Sequence, residues 1–250
     1  MSKFEIDYKD LLRRVMWSGS SKDNRTGVKA ITGFNESITI DLSKGFPIVT
    51  GKKIFFKKGF HEYRWFREGM HTINYLNRHN IHWWNQYANE KGDLGKVYGY
   101  QLRNFDGHFD QLEYAFNEIK NNTRRAHITL WNPTELKEMA LPPCYTGFTF
   151  VRINNKLNMT MQFRSSDLFL GLPYDIIVGA LLLHDVSKFC DIEVGLLGLQ
   201  LDEPHIYENH IEPIRKYLDQ PIYTLPKLND KNTNLSQYVS GPLIKTKLNN

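Results

Sequence analysis

The chain carries two cysteines, Cys144 and Cys190, in unlike settings, and one of them could act as a nucleophile. Cys144 follows Pro142 and Pro143 between two strand-like runs. A thiolate there could add to an electrophilic carbon, and nearby cations would stabilise it. Arg164, Arg124 and Arg125 lie in strands or loops that could converge on that position. Successive side chains on a strand face opposite ways, so at most one of Arg124 and Arg125 would meet a given ligand from its own chain. The plainer readings are a structural thiol and a solvated charge pair. Cys190 ends an apolar helical stretch and reads as a buried small hydrophobe. A disulfide is not expected in a reducing compartment. The Cys-x-x-Cys and Cys/His spacings of a zinc site are absent, so no metal is expected.

These residues need a scaffold, and hydrophobic periodicity outlines one. A helix is expected from about Tyr8 to Trp17, with Leu11, Leu12, Val15 and Met16 on its apolar side. Lys22 to Gly27 reads as a polar turn. Val28 to Ile31 and Ser37 to Leu42 alternate as strands do. Helices are expected from Lys57 to Glu68, Thr72 to Asn77 and Gln111 to Asn121, and Gly92 to Gly95 is a turn. Strand-like runs from His127 to Trp131 and Thr146 to Asn154 flank Pro142–Cys144, and Lys156 to Arg164 follows as a third. Tyr174 to Phe189 is too long for an ordinary strand and predicts a buried helix. No repeat, linker or composition break divides the chain. The expectation is one α+β domain over residues 1–250, with a mixed sheet and a buried central helix rather than a regular βαβ repeat.

Bulk properties exclude some functions. At 41% hydrophobic and 24% charged the composition is that of a globular protein. The longest apolar run, Ile176 to Leu183, falls far short of the roughly 20 residues of a membrane span. The first residues lack the apolar core of a signal peptide, so a cytoplasmic location is expected. The net charge is +5, but lysines and arginines are spread along the chain. That favours a solvated surface with a site for small anions over nucleic acid as the main partner.

Several blocks together resemble the thymidylate synthase family. They are Met139-Ala-Leu-Pro-Pro-Cys144, Arg164-Ser-Ser-Asp-Leu-Phe-Leu-Gly-Leu-Pro173 and His205-Ile-Tyr-Glu-Asn-His210. Upstream stand Arg25-Thr-Gly27, Gly45-Phe-Pro-Ile-Val-Thr50, His61-Glu62 with Trp65-Phe66 and Gly69, Gly92-Asp-Leu-Gly-Lys-Val-Tyr-Gly99, and Arg124-Arg125. They run in family order along nearly the whole chain.

The resemblance implies a one-carbon transfer from 5,10-methylenetetrahydrofolate to C5 of a pyrimidine nucleoside monophosphate. Cys144 would add to C6 and so make C5 nucleophilic. Glu62 would move protons, and its place just before Trp65-Phe66 suggests an apolar setting that raises its pKa. Arg25, Arg164 and Ser165 would bind the phosphate, where guanidinium forks fit well. Arg124 and Arg125 would reach that phosphate from a second subunit, which implies a homodimer. His205 and Tyr207 would hold the sugar hydroxyl. Lys52, Trp84, Asp167, Leu170, Gly171 and Leu248 would stand on the folate side, and Tyr98 would orient the nucleophile or a water.

Two departures bear on the base. The family has Asn where this chain has Asp175, in Gly171-Leu-Pro-Tyr-Asp175, and His where it has Tyr145. An Asn amide matches the N3–H donor and O4 acceptor of uracil. A carboxylic acid matches cytosine, its OH facing N3 and its C=O facing the amino group; an ionised carboxylate would favour cytosine protonated at N3. Deoxycytidylate hydroxymethylases, phage-type relatives within the family, share both departures. The expectation is therefore dCMP as substrate, giving 5-hydroxymethyl-dCMP or 5-methyl-dCMP, in a host cytoplasm if phage-encoded. The polar end of Gly241-Pro-Leu-Ile-Lys-Thr-Lys-Leu-Asn-Asn250 tilts toward hydroxymethylation, because a less apolar lid admits water. The alternatives are a thymidylate synthase converting dUMP to dTMP, and an inactive nucleotide- or RNA-binding homologue.

Overall fold

The computed structural model describes residues 2–24 and 26–247. Its first helix, α1 (Lys3–Ser18), starts where Ser2 accepts a hydrogen bond from the Glu5 N–H, a standard N-cap. Phe4, Tyr8, Leu11, Leu12 and Val15 fall on one face at helical spacing and are buried. The Tyr8 hydroxyl then donates to the Leu168 carbonyl at 2.6 Å, pinning the helix under a loop that matters below.

Short strands β1 (Ser20–Lys22) and β2 (Ala30–Thr32) lead to β3 (Glu36–Asp41). Helices α2 (Phe56–Arg67), α3 (Asn74–Arg78), α4 (Tyr98–Arg103) and α5 (Gln111–Lys120) follow. Then come β4 (His127–Thr129), β5 (Tyr145–Ile153), β6 (Lys156–Phe163), β7 (Ser166–Asp167), α6 (Leu172–Cys190), β8 (Glu193–Leu201), β9 (Pro204–Tyr207), α7 (Ile211–Leu218), β10 (Lys227–Leu228) and β11 (Leu235–Ser236).

The main sheet has the order β3-β8-β6-β5-β4 and is mixed: β6 and β8 run parallel, the other pairs antiparallel. A second sheet, β1-β2-β9-β7, also contains one parallel pair, β7 with β9. The α+β class with mixed sheets is as the pattern predicts. Helix α6 is buried along most of its length, which explains why its sequence shows little amphipathic alternation. It crosses α2 closely: a Cβ at Gly59 would stand only 2.8 Å from Ile177 Cγ2. Glycine is what allows the two backbones to approach.

Sequence pattern missed α4, α7 and β8. Helix α4 is six residues long with no side-chain cap, α7 contains Pro213, and β8 is interrupted by Gly195 and Gly198. Each departs from the periodic template through which an element is recognised. Cys190 does end α6, but it is partly exposed rather than buried. Among the described residues no helix is long and apolar enough to cross a membrane.

Candidate active site

A cavity of about 830 Å³ opens between the two sheets and the α2–α6 pair. Its wall includes Cys144, Glu62, Tyr98, Asp175, Arg164, Ser165, Asp167, His205 and Tyr207, with Trp83, Trp84, Leu170 and Gly171. Residues as far apart in the chain as Glu62 and Tyr207 thus converge on one space.

The placement of Cys144 follows from its neighbours. Pro142 and Pro143 keep the chain extended into β5, and a β-bulge between Tyr145 and Gly147 shifts the register against β6. The Cys144 N–H donates to the Tyr98 hydroxyl oxygen at 2.7 Å, and its carbonyl accepts from the Arg164 N–H at 3.0 Å. Arg164 also turns its guanidinium onto this turn: Nε donates to the Pro143 carbonyl at 2.8 Å and Nη2 to that of Pro142 at 2.9 Å. Two of its five N–H donors are used there. Neither Cys144 nor Cys190 is in a disulfide.

Two carboxyls face the same cavity. Glu62 projects from α2, and its Oε1 accepts from Trp83 Nε1 at 2.9 Å and Trp84 Nε1 at 2.7 Å. Burial pushes the Glu62 carboxyl above the ordinary carboxylate range, while the two indoles pull it back. Asp175 sits in the first turn of α6, where a charge would be favoured by the helix dipole. Burial nevertheless dominates and, with Glu62 and Asp167 nearby, holds its carboxyl well above the ordinary range. Burial thus favours the protonated form of Asp175 over the carboxylate. Tyr98, enclosed by Trp84 and Tyr145, has its own ionisation suppressed by burial and by the thiol beside it.

The opposite wall is polar. Ser165 Oγ lies 3.4 Å from His205 Nδ1, and the His205 and Tyr207 rings meet edge to face at 5.2 Å on one side of β9. Asp167 Oδ1 accepts from the Phe169 and Leu170 N–H groups at 2.9 and 3.2 Å, which shapes the turn into α6.

Several sequence expectations need correction. Tyr145, expected against the substrate, is absent from the cavity wall. The bulge turns its ring into the core, against Phe66, Tyr98, Phe148 and Phe163. Arg124 and Arg125 do not converge on Cys144 of their own chain; both are exposed, and Arg125 pairs with Glu118 at 3.5 Å. Lys52 lines a smaller neighbouring cavity of about 340 Å³, which shares Leu170, Tyr174 and Thr246 with the main one. Its ammonium donates to the Phe169 carbonyl and sits 3.5 Å above the Phe169 ring, and burial lowers its pKa to about 7. Arg25 and Leu248 lie outside the described residues.

Trp83 was missed. Its signal was adjacency to Trp84: residues 83–87 form turns rather than a strand, so neighbouring side chains can reach one acceptor. Among the described residues no cluster of three or more His, Cys, Asp or Glu side chains could hold a metal ion. Residues 6–243 match the family model described as thymidylate synthase.

Proposed function

The chain belongs to the thymidylate synthase family, and we propose that within it the substrate is dCMP and the product 5-hydroxymethyl-dCMP. Members carry out folate-dependent one-carbon transfer to a pyrimidine nucleotide, generally as homodimers, and this chain is an enzyme of that family.

One observation supports cytosine above others: Asp175, whose pKa burial raises, stands on the wall that also holds Cys144. Cytosine N3 is basic and lacks a proton, whereas uracil N3 already carries one. A proton passed from Asp175 to N3 withdraws electrons from the ring and makes C6 a better target for the Cys144 thiolate. The carboxyl oxygens can at the same time accept from the 4-amino group. Glu62, held above its usual range, serves as the second proton carrier, and Arg164 and Ser165 take the phosphate while His205 and Tyr207 take the sugar.

The residues present fit a folate. Beyond Glu62 the wall is aromatic, with Trp83, Trp84, Tyr87 and Tyr174 suited to a flat ring system. The adjoining cavity offers Lys52, Lys53 and Lys245 to carboxylates. The folate would supply a one-carbon unit at the oxidation level of formaldehyde. Hydroxymethylation needs water at that carbon. The polar Thr246 on the cavity wall supports its entry; the segment that carries it is anchored by Gly241 N–H donating to the Thr50 carbonyl and Lys53 N–H to that of Pro242.

Dimerisation draws support from the outer face of the main sheet. Val151, Ile153 and Leu196 are exposed there at 44%, 55% and 42%, an unusual apolar set for solvent. Arg124 and Arg125 lie beside it, just before β4.

The second reading, dUMP to dTMP, is favoured by the description of the matching family model. A neutral Asp175 can also meet uracil, with its OH on O4 and its carbonyl on N3–H. Incubation with dCMP and methylenetetrahydrofolate separates the outcomes. Product without dihydrofolate absorbance supports hydroxymethylation; dihydrofolate release means methylation; no product from dCMP beside active dUMP turnover refutes the cytosine reading.

A further inference from the structure

Two indole N–H groups meet on a single oxygen of Glu62, and this fixes more than the position of the side chain. Trp83 Nε1 stands 2.9 Å from Oε1 and Trp84 Nε1 2.7 Å from the same atom. A carboxyl oxygen offers two lone pairs, and two donors fill both. A proton placed on Oε1 would point at an indole N–H. We propose that Trp83 is a positioning residue which, with Trp84, closes Oε1 of Glu62 to protons, so that Oε2 alone exchanges a proton with the bound nucleotide. This rests on the reading of Glu62 as a proton carrier.

Trp84 by itself would leave one lone pair of Oε1 open, and the proton would have two places to sit. Trp83 removes that choice. Its ring has two contacts: Tyr174 packs against it with ring centroids 5.2 Å apart, and the Lys58 ammonium stands 5.6 Å from its ring centre. Tyr174 immediately precedes Asp175, so this contact links Glu62 and Asp175 through one aromatic pair. The other titratable groups that face Glu62 are Asp175 and Tyr174 from α6 and Tyr145 from β5. The indole bonds favour the charged carboxylate, so removing one lets burial raise the Glu62 pKa further.

The test is Trp83→Phe, which keeps a ring and removes the N–H. Turnover should fall about tenfold, the order expected for one hydrogen bond to a charged group. The KM for nucleotide should hold, and the Glu62 limb of the pH–rate profile should move to higher pH. A rise in KM for folate alone, with the pH profile unmoved, would show that Trp83 is only part of the wall. The unsubstituted protein gives a second measurement that needs no substrate. With indole ¹⁵N labelling, the Trp83 and Trp84 N–H signals should titrate with one common midpoint and lose that response in Glu62→Gln. A Trp83 signal that does not follow Trp84 overturns the proposal, whichever base the enzyme accepts. If dUMP proves the better substrate, the kinetic arm is run with dUMP and the expectation is unchanged.

Discussion

Replacing Asp175 with Asn tests the chemistry assigned to this carboxyl while barely changing its shape. The amide can donate to cytosine N3 and accept from the 4-amino group, so dCMP should still bind. It cannot transfer a proton to N3. Asp175 can, because burial, with Glu62 and Asp167 nearby, raises its pKa well above the ordinary carboxylate range. A positioned proton donor contributes about 10²–10⁴ in rate, so kcat for dCMP should drop at least about a hundredfold with little change in KM. Uracil needs no proton at N3, and the Asn oxygen accepts from its N3–H. Turnover of dUMP should hold or rise, and the dCMP/dUMP ratio of kcat/KM should swing by about two orders of magnitude. Steady-state assays of both nucleotides, with product identified by mass, measure this directly. An unchanged ratio would mean that Asp175 neither protonates nor reads the base.

The same substitution should also alter stability. A carboxyl whose folded pKa lies above its unfolded value stabilises the fold in acid and loses that contribution as pH rises through the folded pKa. Asp175→Asn should therefore gain thermal stability over the parent from about pH 4 upward, with the larger gain at alkaline pH, in melts followed by circular dichroism. Gly59→Ala places a Cβ 2.8 Å from Ile177 Cγ2 and must push α2 away from α6, costing about 1–3 kcal/mol and displacing Glu62. Activity should fall further than the melt implies, and Ile177→Ala should restore part of it. Tyr98→Phe removes the acceptor of the Cys144 N–H, at a cost of about 1–3 kcal/mol for the unpaired donor. Covalent capture of Cys144 by a 5-fluoropyrimidine nucleotide, read by mass spectrometry, should slow accordingly.

Much of the scaffold was legible because its long elements obey simple periods. Strands β5 and β6 and the buried α6 stand within two residues of their predicted bounds, while α1 ends within one residue of its predicted bound but begins five residues earlier, at Lys3. The gathering of Cys144, Glu62, Asp175, Arg164 and His205 in one cavity was legible as well, through blocks of residues rather than through periodicity. Tyr145 was assigned to the substrate by its place after Cys144 in a family block, which carries no sign of the bulge that follows it or of the aromatic packing of its ring. Lys52 could be assigned to a side of the site but not to its separate cavity, since that depends on how the C-terminal segment crosses residues 50–53. Trp83 escaped because its contact with Glu62 spans 21 positions and arises from a turn with no periodic signature.

The identity of the modified base is the central claim. The direct measurement is a competition: equal dCMP and dUMP with methylenetetrahydrofolate in one reaction, products resolved by mass. Loss of dCMP to its 5-hydroxymethyl derivative, with dUMP largely unconsumed, is the predicted result. Preferential conversion of dUMP to dTMP would contradict it.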